Sequence, residues 1–202
     1  MKPMHRKWIL PSVGAAVLIS ATVLGVIFLP KTGFTMPMEF SEARLKGAEI
    51  AEFLNEFSAN SIRTIEEIKI KDEASLYGEA LELTIKESEN VQEARTKMIA
   101  LLGELERMAA SLPSVPYDEA QSLGMQAIST EISLVDKLLN YNEKLKSLLD
   151  VLRMKFTSYT PDKFDEQMSE ITRSLNEDAL AINELNRKYQ NLMEEFDKKL
   201  GN

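Results

Sequence analysis

From residue 38 onward, apolar side chains return at every third and fourth position, the spacing of one helix face; a strand alternates with period two. Val91, Ala94, Met98, Leu101, Leu105, Met108 and Leu112 form one unbroken stripe of this kind. Leu134, Leu138, Tyr141, Leu145, Leu148 and Leu152 repeat it. Phe164, Met168, Ile171 and Leu175, then Ile182, Leu185, Tyr189, Leu192 and Phe196, repeat it again. Flanking apolar residues such as Ile128, Ile132, Val135 and Leu139 widen the face beyond a two-stranded seam, toward a bundle core.

Proline marks where these helices stop. Pro113-Ser114-Val115-Pro116 interrupts one pattern and Tyr159-Thr160-Pro161 the next, with Thr160 placed as an N-cap ahead of a proline at the first helical position. An earlier stripe of Ile50, Leu54, Phe57 and Ile68 is out of heptad phase with the one starting at Val91, so a continuous helix would have to rotate its apolar face midway. A break near Lys71 to Ser75, with Asp72 or Ser75 as the next N-cap, resolves the conflict.

The spacing thus predicts helices over about residues 38–70, 75–112, 117–156 and 161–200. Short connections make neighbours antiparallel, and the expected fold is all-α: an up-down-up-down four-helix bundle. Without the break, the alternative is a three-helix bundle with one very long kinked first helix.

Ahead of the bundle lies a different pattern. Trp8 to Pro30 is apolar and uncharged, behind a basic tip at residues 1–7 that holds Lys2, His5, Arg6 and Lys7. At roughly 1.5 Å per residue the run matches the ~30 Å hydrocarbon core of a bilayer, which predicts a single transmembrane helix over 8–30. A cleaved leader would need a shorter apolar region and a small-x-small site, and Ile19-Ser20-Ala21 is a poor one inside the run. Basic residues stay on the cytoplasmic side, so the expected protein is single-pass in the cell membrane, N-terminus cytoplasmic and residues 38–202 extracytoplasmic. Residues 31–37, with Gly33 and Pro37, read as the hinge.

Charge and composition narrow the partners. Four of the chain's 24 lysines and arginines fall in the first 33 residues, which hold no acid; the remainder carries 20 basic against 32 acidic side chains, a net of about −12. Such a surface repels nucleic acid. With no cysteine, neither disulfides nor thiolate metal sites hold the fold. His5, the only histidine, sits in the basic tip, so no histidine-based triad or zinc site is expected in the bundle. Calcium loops and glycine-rich phosphate cradles are also missing. No catalytic residue, cofactor or metal, and no small-molecule substrate, is expected.

One constellation breaks the stripes. Glu87, Tyr141 and Asp178 occupy core positions in three helices, and hairpin centres near residues 114 and 159 would bring them into one polar layer. A buried carboxylate needs a partner there, because an unpaired one costs several kcal/mol.

The expected function is a membrane-anchored, non-catalytic helical bundle: an envelope tether or scaffold subunit that contacts the membrane through its span. It would bind a protein partner or self-associate. The alternative is an extracytoplasmic ligand-sensing four-helix bundle working through a partner.

Overall fold

The computed structural model describes residues 36–158 and 164–201. The basic tip, the apolar run 8–30, residues 31–35 of the hinge, and the Thr160-Pro161 cap lie outside the described residues. Within them the chain forms α1 (Met38–Glu73), α2 (Tyr77–Ser111), a 3-10 turn (Leu112–Ser114), α3 (Asp118–Thr157) and α4 (Asp165–Lys199), and no strand. No helix among the described residues is long and apolar enough to cross a membrane.

Cross-helix pairs give the directions. Arg107 reaches Glu42 at 3.7 Å and Lys71 meets Glu79 at 2.5 Å, so α1 and α2 run antiparallel. Arg95 with Glu143 at 2.7 Å does the same for α2 and α3, and Lys199 with Glu119 at 2.8 Å for α3 and α4. The basal end of the bundle carries the start of α1, the α2–α3 turn and the end of α4. The distal end carries the α1–α2 turn and the end of α3.

The break between α1 and α2 exists, so the very long first helix does not form. It is made without glycine or proline: Ser75 takes the left-handed region at φ 59°. Its N–H donates to the Asp72 carbonyl at 2.9 Å and the Leu76 N–H to the Lys71 carbonyl at 2.9 Å. That pair of bonds is a Schellman ending with serine at the glycine position. The N-cap of α2 is Leu76, with no side-chain cap, in place of the expected Asp72 or Ser75. At the α2–α3 turn Tyr117 likewise takes a positive φ of 70°.

The core lies in two blocks. The basal block runs from Phe40 and Ala43 on α1 through Leu101, Leu105 and Met108 to Phe196 and Leu200. The distal block gathers Ile65, Ile68, Val91, Leu148, Leu152 and Leu175. Each fully buried leucine or phenylalanine contributes about 1.5–3 kcal/mol, and this packing holds the fold. Phe57 and Tyr141 border both blocks.

Candidate functional site

The buried polar side chains, at the boundary of the core blocks and one turn into the distal one, occupy stripe positions. Glu87 of α2 is fully buried. The Ser61 hydroxyl of α1 donates to its Oε1, and Asn90 Nδ2 donates to its Oε2 at 3.0 Å. Asn142 of α3, also buried, donates to the Val91 carbonyl at 3.0 Å. That bond uses a second lone pair on a helical carbonyl and pins α3 axially against α2.

Asp178 of α4 lies one helix further round. Lys144 Nζ donates to its Oδ2 at 2.5 Å, and Lys137 stands 4.0 Å from Oδ1. Burial, with the negative charge of Asp178 adding to it, pushes the Tyr141 hydroxyl up to about 12. The structure therefore brings Tyr141 and Asp178 together and places Glu87 with Ser61 and Asn90. The separation follows from register: the 3-10 turn at Leu112–Ser114 and the Pro116-Tyr117 bend shift the hairpin centre from residue 114 to about 117. With Val91 level with Asn142, Glu87 falls about one helical turn further along α3, near residue 146.

A third carboxylate was not singled out by the pattern. Glu131 of α3 is 5 % exposed, and its Oε2 has no hydrogen-bond partner. Burial alone raises its carboxyl to about 7. The α3–α4 pairs Glu119–Lys199 and Lys144–Asp178 set it level with about residue 189, where buried Tyr189 and Asn186 lie. The Tyr189 hydroxyl is raised by burial first and by the charge of Glu131 next. The signal was available: continuing the α3 stripe back from Leu134 in steps of three and four lands on Glu131, Ala127 and Gly124.

Three further ion pairs close the ends. At the distal end Lys155 reaches Asp72 at 2.6 Å and Asp165 at 3.9 Å, tying α3 to α1 and α4. At the basal end Arg44 holds both oxygens of Asp197 at 2.8 Å. Burial works to lower the Arg44 guanidinium, and the bond and charge of Asp197 more than reverse it, leaving it raised.

These groups tie the helices to one another. An open cleft of about 460 Å³ lies between α3 and α4, lined by Lys137, Asn140, Glu143, Lys144, Ser147 and Asp178. Among the described residues no three histidine, cysteine or acidic side chains gather as a metal site would require. Comparison with family models, with curated proteins and with solved structures finds no match to this chain.

Proposed function

We propose that the protein is a membrane-anchored, non-catalytic helical bundle, held by residues 8–30 with the bundle on the extracytoplasmic side. It acts as an envelope tether or scaffold subunit and meets a protein partner, or a second copy, through a helix face. One observation supports this reading above others: buried Glu87 and Asp178, and half-buried Asp72, each engage side chains of the bundle itself. These contacts fix helix register, as in a rigid spacer. The uncharged run at 8–30 supports the anchor, and the net of about −12 beyond it speaks for a partner that is not nucleic acid.

The test combines location and partner. The chain should stay in the pellet of carbonate-washed membranes, and protease added to intact cells should digest the bundle. Crosslinking in those membranes should then yield one dominant protein adduct. Release into the carbonate supernatant would remove the anchor. A saturable thermal shift with a small metabolite would transfer support to the ligand-sensing alternative.

A further inference from the structure

The C-terminal half of α4, residues 182–200, is fastened at its two flanks by different means. On one side α1 and α4 keep their backbones farther apart than the other neighbouring pairs do. That seam is closed by side chains: the Arg44–Asp197 pair at 2.8 Å, and the Phe40 and Phe196 rings with centroids 5.5 Å apart. On the other side α4 rests on α3, where Tyr189 and Asn186 lie level with a buried acid that has one oxygen facing no donor.

We infer that Glu131 is a proton-operated latch: with its carboxyl protonated, residues 182–200 of α4 stay seated on α3 and α1, and loss of the proton unseats them. A neutral carboxyl can remain in an apolar interior at modest cost. A carboxylate with an unsatisfied oxygen cannot, and the least costly remedy is to let water in along the helix that covers it.

The charged groups around it do not supply a counter-ion. From α4 comes Tyr189, neutral and buried, while Arg187 and Lys188 are exposed. From α1 comes Arg44, engaged by Asp197. From α2 the Asn142–Val91 and Arg95–Glu143 pairs set about residues 102–107 level with Glu131. Their charged members include Glu104 and Arg107, paired at 2.6 Å, with Arg107 also 3.7 Å from Glu42. On α3 itself Lys137, one and a half turns on, turns to Asp178 at 4.0 Å, and Asp136 is exposed.

The closed arrangement therefore binds a proton that the open one releases. As pH climbs from the ordinary glutamate value of 4.5 toward about 7, the opening equilibrium rises by up to about tenfold per pH unit and then levels off. The loosened segment is the one that covers the first turns of α1, directly after the hinge. Proton concentration outside the bundle would thus set how firmly its basal end is closed.

The experiment is hydrogen exchange of the full chain in detergent micelles, corrected for intrinsic rates, from about pH 5 to pH 8, on wild type and E131Q. Peptides from residues 182–200 of wild type should lose protection by roughly 40-fold between about pH 5 and pH 7, while α2 peptides hold theirs. E131Q should show no such slope. Equal slopes in both proteins, or a loss spread evenly over all four helices, would overturn the latch. If E131Q does not fold, the carboxyl carbon of Glu131 in labelled wild type decides by NMR. A titration midpoint near neutrality is the expected result, and one at the ordinary value of 4.5 rejects the proposal.

Discussion

Arg44 grips both carboxylate oxygens of Asp197 at 2.8 Å and so joins the first turns of α1 to the last turn of α4 across 153 residues of chain. A planar guanidinium facing a carboxylate in this way fixes geometry as well as energy. Both side chains are partly open to water, at 19 % and 28 %, so the coupling is modest. A double-mutant cycle of R44A and D197A, read by thermal unfolding of the full chain, should give a coupling energy of about 1 kcal/mol. A value indistinguishable from zero would mean the α1–α4 seam is held by Phe40 and Phe196 alone.

Stability should fall as pH rises through the window set by Glu131. Its folded-state carboxyl is raised from 4.5 to about 7, so the folded state binds the proton more tightly than the unfolded chain does. The stabilising contribution is complete below about pH 4.5 and is lost by about pH 7, a difference of about 3 kcal/mol. Unfolding wild type and E131L across that range should show the variant gaining most above pH 7 and least below pH 4.5. Parallel curves would place the titration elsewhere.

Ser61 and Glu87 are a donor and an acceptor buried together, so removing one should hurt more than removing both. S61A takes a hydroxyl from a buried carboxylate and should cost about 1–3 kcal/mol, while S61A/E87L should recover most of it. D178L makes the contrast, because the lysines it frees are already 37 % and 45 % exposed and can rehydrate. Its expected change is under about 1 kcal/mol. Denaturant midpoints of the four proteins check the set.

Two glycines on buried and open helix faces should respond to alanine with opposite signs. A Cβ at Gly124 would stand 2.7 Å from Leu112 Cδ1 and 3.1 Å from the Phe196 ring, both buried and unable to yield freely. G124A should therefore cost about 1–3 kcal/mol. A Cβ at Gly103 meets nothing within 4 Å, and G103A should gain about 1 kcal/mol from helix propensity. Melting temperatures that move the same way in both variants would contradict the packing described at the basal end.

Much of the all-α architecture was readable from stripes and prolines. Val91 to Leu112 and Leu134 to Leu152 could be nothing but helix faces, and the Pro113 to Pro116 run could only end one. Heptad phase also exposed the break between α1 and α2, although its mechanism was hidden, since a left-handed serine leaves no signature in composition. The candidate site was less readable. Glu131 sits on a stripe whose basal part is Ala127 and Gly124, residues too small to mark a core by hydrophobicity.

The amino-acid pattern determined by itself which residues face inward, because a period of 3.6 assigns every side chain to a face wherever the helix lies. Tertiary structure alone decided which inward residues meet. Axial register depends on how many residues each turn consumes, and the 3-10 turn with the Tyr117 bend moved α3 past α2 by about one helical turn. That offset gave Glu87 to Ser61, left Tyr141 beside Asp178, and set Glu131 level with Tyr189 and Asn186 without a donor for one of its oxygens.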